Sequence, residues 1–372
     1  MDRIKNRILG SLIGGAAGDA LGYAVEFCFE DQIFRSFGPN GITQYALNNG
    51  AARISDDTQM TLFTANGLLL AAASADSRHN MDRYLQGIAY AYRQWYRTQV
   101  YGIYKARATA SDCWMMDHPG LYAARAPGNT CMSAIALGCH GSIAHPINHS
   151  KGCGGVMRVA PIGLLFPWDE NFVLDVDRLG AETAALTHGH EMGYIPAAML
   201  VHMIQILSHG VVDSVREATI KAMDAMHTLF PHAVHLPAFL KLIQCALDLA
   251  GSDISDLDAI HQLGEGWVGD EALAIAVYCA VKYADDFDRA LIAAVNHRGD
   301  SDSTGAITGN ILGALLGLEG IPQKYIENLE LLDVITQIGE DLAGCRNFHF
   351  RNAAGADDTW RKKYMGRFWI NG

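Results

Sequence analysis

Two short runs of oxygen-bearing side chains stand out in this 372-residue chain. One is Ser55-Asp56-Asp57-Thr58; the other is Asp300-Ser301-Asp302-Ser303-Thr304, behind Gly299. Each directly precedes an apolar stretch with helical character. A single aspartate at a helix start can cap the free N–H groups of the first turn. Paired aspartates flanked by hydroxyls also suit a hard divalent cation, because Mg²⁺ and Mn²⁺ favour octahedral oxygen coordination. Capping and metal binding fit the first run equally; the second, in its Gly-flanked loop, points to a metal. Neither has the twelve-residue ligand spacing of an EF-hand. Two-metal phosphoesterases usually mix histidines into such runs, and here only His297 stands near. A third piece is Asp19 with Glu26, seven positions apart. On one continuous helix they would share a face, and burying them among Gly, Ala and Leu would require a cation or an arginine.

These residues need rigid elements behind them, and the sequence supplies helices. Residues 57–73, 81–98, 211–226, 236–249 and 271–283 carry helical periodicity. Asp213 and Ser214 stand as caps before one stretch and Gly251 after another. Alternating runs suited to strands are few, so the predicted fold class is all-α, one multi-helix domain over 1–372 with long loops. Residues 205–270 are poorer in glycine and read as a peripheral helical layer of that domain. Gly10, Gly14, Gly18 and Gly22 recur at every fourth position, as do Gly305, Gly309, Gly313 and Gly317. Each glycine costs a helix about 1 kcal/mol relative to alanine, so eight of them predict two helices packed backbone to backbone.

The composition is that of a globular protein with a substantial core, half apolar and 18% charged. A net charge of −12 argues against a nucleic-acid binder, which needs a basic face. The basic-then-apolar opening of the chain is interrupted by Asp19, and no run reaches the ~20 apolar residues of a membrane span. Eight scattered cysteines without a CxxC pair read as thiols of a reducing compartment. The expectation is a soluble, cytoplasmic protein with no membrane and no nucleic-acid partner.

Taken in order, GxxxGxxxGDALGxxxE (10–26), SDDT (55–58), APGNT (126–130), KGCGGVMRVAP (151–161), THGH (187–190) and NHRGDSDSTGAITGN (296–310) resemble the ADP-ribosylglycohydrolase family over residues 8–318. Each motif is weak alone; six in the family's order are specific. The resemblance implies an all-α fold with two Mg²⁺ or Mn²⁺ ions in a cleft, ADP-ribosylated protein as substrate and ADP-ribose as product. It implies Ser55, Asp56, Asp57, Asp300, Asp302 and Ser303 as metal ligands, with Asp302 the bridging group and Glu26, Asp57 and Asp302 catalytic. Ser55 and Ser303 stand where many relatives have threonine, and Arg298 where glycine is common.

Gly152, Cys153, Gly154, Gly155, Val156 and Met157 are expected to cradle the diphosphate through exposed backbone N–H groups. Asp19, Asn129 and His188 complete the substrate-binding set that the resemblance implies. Arg158 reads either as a phosphate clamp or as one half of a structural salt bridge. Trp114, Tyr122 and Met157 are candidates to stack on adenine, and residues 99–125 to form the cleft wall. The implied reaction cleaves ribose C1″ from a side-chain atom through an oxocarbenium-like transition state, which nearby carboxylates stabilise. ADP-ribosyl-arginine is the favoured substrate; serine-linked and polymeric ADP-ribose are alternatives, as is a member that only binds. Some bacterial relatives counter an ADP-ribosylating toxin, and the resemblance extends the candidate partners to such an ADP-ribosyltransferase.

Overall fold

The computed structural model describes residues 1–73, 79–103, 105, 113–346 and 358–364. The helices in chain order are α1 (Arg3–Gly22), α2 (Glu30–Phe37), α3 (Asp56–Ala72), α4 (Met81–Val100), α5 (Asn129–Ala136), α6 (Ala160–Leu165), α7 (Val173–Ala185) and α8 (Glu191–Ser208). They continue as α9 (Val215–Leu229), α10 (Leu236–Ala250), α11 (Asp256–Leu263), α12 (Gly269–Lys282), α13 (Phe287–Val295), α14 (Ser301–Leu316), α15 (Leu332–Cys345) and α16 (Asp358–Tyr364). Extended pairing among the described residues is confined to isolated bridges: Asn48 with Ala51, Ala52 with Leu329, and Gly152 with Val268. The fold is all-α, in one compact domain. None of its helices is long and apolar enough to cross a membrane, among the described residues.

The seam between α1 and α14 is the centre of the architecture, and no other pair of helices among the described residues packs so extensively. It is antiparallel. A Cβ at Gly14 would run into the carbonyl of Gly309, one at Gly18 into that of Gly305, and one at Gly22 into that of Ser301. The glycine rhythm therefore has its packing reason: two backbones approach too closely for any side chain. Gly317 keeps its place in the seam and adds a second role. It lies just beyond α14 at φ +73°, the left-handed region that glycine tolerates, and ends the helix while its backbone still packs against Gly10.

Behind the seam runs α8, whose residues from Met192 to Ser208 are all buried. A helix apolar on every side can only be an inner one, and α6, α7, α9, α12 and α14 surround it. The predicted helices are present with small shifts at their ends. The largest concerns 211–226, which begins instead at Val215: Gly210 at φ +65° terminates α8, and the Ser214 side chain then caps α9 by accepting from Glu217 N. Gly251 caps α10, as its position suggests. All eight cysteines are free thiols.

Candidate active site

The two aspartate runs are brought to one cleft by the ends of three helices. The first run opens α3, where the Ser55 side chain accepts from Asp57 N at 3.1 Å. The second opens α14, where Asp300 caps the helix by accepting from Ser303 N at 3.3 Å. The C-terminal end of α1 lies against both. One ligand oxygen each from Glu26, Asp300 and Asp302 falls within 4.8 Å of the others, and all three residues are buried. Asp56, Asp57 and Ser303 line the same cleft, which is open to solvent on one side and holds about 190 Å³.

Glu26 reaches the cluster by a route different from the expected one. Helix α1 stops at Gly22, and residues 23–27 form turns, so no continuous helix carries Asp19 and Glu26 on one face. At Gly22 the backbone of α1 meets Ser301, and the turn that follows carries Glu26 to the cleft. Asp19 stays behind. Fully buried and away from the cleft lining, its carboxylate accepts from Ser55 N at 2.9 Å and from Thr58 N at 3.0 Å, and also from the Thr58 hydroxyl. The expectation that Asp19 binds substrate is thus replaced by a cap delivered from another helix: it holds the SDDT turn in place.

Such crowding of buried carboxylates is costly unless protons or cations neutralise them. Burial, then Asp302, Asp300 and Asp56, push Glu26 up to about 10. Burial and Asp302 push Asp19 to about 7. Asp56, Asp57 and Asp300 are also raised well above the ordinary carboxylate range, burial first and the Asp302 charge next. Glu26 Oε2 and Asp57 Oδ2 are buried without a hydrogen-bond partner. Donors for these oxygens are missing among the described residues, while hard acceptors are in excess. That donor set fits divalent cations.

The glycine-rich loop forms the opposite wall. Gly152, Cys153, Gly154 and Met157 line the cleft, with Asn129 and Thr130 from the start of α5 and His188 beyond them. Gly155 and Val156 do not line it. A Cβ at Gly155 would strike the Gly193 carbonyl, and Val156 is fully buried in the core. The expected N–H cradle is also narrower than the motif suggests, because Cys153 N donates to Trp267 O at 3.2 Å. Its thiol donates to Asp300 Oδ2 at 2.6 Å, so this loop meets the second aspartate run directly.

Several secondary expectations resolve differently. Arg158 does not line the cleft and has no salt bridge among the described residues: it is fully buried, with its guanidinium 4.4 Å from the Tyr92 ring centre. His190 caps α8 by accepting from Met192 N. His297 is buried, its ring nitrogens 2.8 Å from Arg298 O and 3.0 Å from Ala294 O, and so is a structural residue. Arg298 pairs with Glu265 at 2.7 Å. Of the three adenine candidates, only Met157 reaches the cleft; Trp114 instead packs under the Lys363 ammonium, 4.4 Å from its ring centre. In the 99–125 segment, residues 104 and 106–112 lie outside the described residues, and the described part does not line the cleft. It supports the floor instead, where Arg125 O accepts from Asp56 N at 3.0 Å.

Sequence reading missed Trp267, which lines the cleft, is 40% exposed and stacks on Phe27 at 6.1 Å. The available signal was a tryptophan directly after Gly264-Glu265-Gly266, since both glycines adopt positive φ. Such a loop presents side chains rather than burying them.

The chain matches the family model described as ADP-ribosylglycohydrolase over residues 1–350. It is 24% identical to the ADP-ribosyl-[dinitrogen reductase] glycohydrolase of Rhodospirillum rubrum over 335 residues, covering 88% of this chain and 92% of that one. It is 26% identical to human ADP-ribosylhydrolase ARH3 over 221 residues, where the match spans 50% of this chain and 57% of ARH3. The bovine ARH3 match likewise spans 57% of that protein's length. A solved structure titled ADP-ribosylglycohydrolase-related protein complex shares the fold at TM-score 0.54 and 20% identity, over 93% of this chain and 99% of that one. The six ordered motifs, the all-α fold and the family match agree, and the chain belongs to the ADP-ribosylglycohydrolase family.

Proposed function

We propose that this protein hydrolyses the ribosyl C1″ bond of ADP-ribosylated protein side chains, ADP-ribosyl-arginine before others, and releases ADP-ribose. The observation that carries the reading is the buried cluster of Glu26, Asp300 and Asp302 beside Asp56 and Asp57, with unpaired oxygens, facing a glycine-walled cleft. Two divalent ions, Mg²⁺ or Mn²⁺, would be held by Asp56, Asp57, Asp300, Asp302 and Ser303, with Ser55 supporting through its cap on Asp57 N. Such ions supply positive charge for ribose hydroxyls and lower the pKa of bound water.

The residues supply the rest. Asp57 or Asp302 accepts a proton from the attacking water, and the cluster's negative charge stabilises oxocarbenium character at C1″. Glu26, on its turn at the cleft, orients the sugar. Gly152, Cys153, Gly154, Met157, Asn129 and His188 bind the ADP-ribose moiety. The preference for arginine rests on charge: an acidic cleft in a chain of net charge −12 suits a guanidinium leaving group. The activity reverses the product of an ADP-ribosyltransferase, a toxin included.

The test is to incubate the protein with arginine- and serine-ADP-ribosylated substrates in Mg²⁺, Mn²⁺ or EDTA and to quantify free ADP-ribose. Metal-dependent release from arginine is expected. Release from serine alone would retain the site and overturn the substrate; binding of ADP-ribose without any release would make the protein a binder.

A further inference from the structure

Arg158 presents a physical puzzle. Its side chain is fully buried, yet no carboxylate faces it among the described residues. It donates to Thr187 Oγ1 at 2.7 Å, to Thr183 O at 3.2 Å and to Cys131 Sγ at 3.2 Å, with Met60 Sδ at 3.5 Å and the Tyr92 ring beneath. A desolvated guanidinium with only neutral partners is an expensive arrangement. Its strongest contact is the one to Thr187, and Thr187 leads directly to the cleft: Thr187 Oγ1 lies 2.8 Å from His188 Nδ1.

The direction of these bonds follows from counting protons. Arginine only donates, so Thr187 Oγ1 must accept from it. The threonine hydroxyl keeps one proton to give. Its rival acceptors are Ala184 O, at a long 3.4 Å, and the sulfur of Cys131, a weak acceptor. His188 Nδ1 is the best placed of the three. If Nδ1 accepts, the single proton of a neutral ring sits on Nε2. That atom has no hydrogen-bond partner among the described residues, although His188 is only 2% exposed. It faces the glycine loop, where a Cβ at Gly152 or at Gly154 would come within 3.3 Å of it. Glycine at both positions keeps this edge of the ring open to the cleft.

We propose that Arg158 and Thr187 are positioning residues which lock His188 as the Nε2–H tautomer, so that the ring offers a neutral N–H to an oxygen of the bound ligand. The ligand named here, the ADP-ribose unit, rests on the function proposed above; the proton relay does not. Burial and the Arg158 charge hold the protonation of His188 down to about 3, so the ring is neutral at physiological pH. A neutral imidazole is amphoteric, and without a fixed donor at Nδ1 it could as well turn an acceptor toward the ligand. A phosphate oxygen, which only accepts, needs the donor; a ribose hydroxyl can take either role.

The experiment is ¹⁵N NMR of the histidine rings in the full-length protein, with His188 assigned by difference from His188→Gln, alongside calorimetric titration with ADP-ribose. In the wild type, Nδ1 is expected to be unprotonated and hydrogen-bonded, with the proton on Nε2. Thr187→Val is expected to abolish the Nδ1 hydrogen-bond shift and to weaken ADP-ribose binding about 5–10-fold, the size of one lost hydrogen bond. Thr187→Ser, which restores the hydroxyl, is expected to restore both. A proton on Nδ1 in the wild type would overturn the relay. So would a Thr187→Val protein with unchanged ring shifts and affinity, or a Thr187→Ser protein as weak as the valine variant. Wild-type protein that shows the expected ring pattern but no affinity for ADP-ribose would sink the substrate reading and leave the relay standing.

Discussion

The two aspartate runs look alike in sequence but are held in place by different means. The first is suspended from remote carboxylates. Asp19 of α1 accepts from Ser55 N and Thr58 N, and Glu330 accepts from Ile54 N at 3.1 Å while pairing with Arg53 and Arg125. The second is built from backbone. Gly299, at φ +123°, fits against the Glu265 carbonyl, which accepts from Asp300 N at 2.8 Å, and the Thr304 hydroxyl lies 2.9 Å from Asp300 O. One run therefore depends on buried charge that the site itself must tolerate, and the other on a turn that only glycine can make. The first should be tunable by charge and by pH; the second should be all or nothing.

The largest effect expected lies in the second run. Asp302 has a ligand oxygen within 4.8 Å of those of Glu26 and Asp300, and its charge raises each neighbouring carboxylate in the cluster. Asp302→Asn is expected to lower turnover by about 10³-fold, the scale seen when one preorganised electrostatic contact to a transition state is removed. Asp56→Asn, at the edge of the cluster with Gly128 N as a donor, is expected to cost less. Single-turnover release of ADP-ribose from a modified substrate measures both. Equal losses would erase the proposed difference between the runs, and retained turnover in Asp302→Asn would refute the mechanism.

Next comes the support beneath each run. Asp19→Asn removes one acceptor oxygen and turns an amide toward N–H donors, leaving buried groups unsatisfied. A cost of about 2–3 kcal/mol is expected, together with about 10-fold weaker metal binding, as for other groups that orient metal ligands. Gly299→Ala forces a side chain into positive φ and into the Glu265 carbonyl, and about 3 kcal/mol or more is expected. Urea unfolding in EDTA and calorimetric Mg²⁺ titration separate the two. A stable Asp19→Asn with unaltered metal affinity would show that the cap is dispensable.

How much of this was legible in the sequence follows the same division. Residues that act through their own type and spacing were readable: both aspartate runs, the glycine seam of α1 and α14, and the cap at Ser214. Residues that act through tertiary placement were not. Asp19 looks like a site acid until α3 is set against α1, and Glu26 could not be placed without knowing that the helix ends at Gly22. Gly155 belongs to the motif that walls the cleft, yet its backbone faces Gly193. Arg158 suggested an anionic partner because desolvated arginines usually have one; an aromatic ring and a hydroxyl took that place. Trp267 belonged to none of the six motifs, and its one signal was the pair of glycines before it. Spacing along a chain reports local geometry, whereas a hydrogen bond between α1 and α3 depends on packing that no local pattern encodes.

The smallest effect, and the one that tests the charge argument most directly, is in the pH dependence of stability. Asp19 is raised to about 7 and Glu26 to about 10, with Asp56, Asp57 and Asp300 raised too. A carboxyl whose folded-state pKa lies above its unfolded value binds more protons in the native state across the interval between them. Stability then falls as pH rises through that interval, by about 1.4 kcal/mol per pH unit for each excess proton. In EDTA the protein is therefore expected to lose thermal stability progressively from pH 5 to pH 8, opposite in sign to a protein held by salt-bridged carboxylates. Divalent metal favours the ionised carboxylates, so saturating Mg²⁺ or Mn²⁺ should raise the melting temperature most at pH 8 and flatten the slope. Asp19→Asn, which removes one of the titrating groups, should shallow the EDTA slope, most visibly below pH 7. A melting temperature that rises with pH in EDTA, or one indifferent to metal at pH 8, would mean that the buried carboxylates are neutralised by something other than protons and cations.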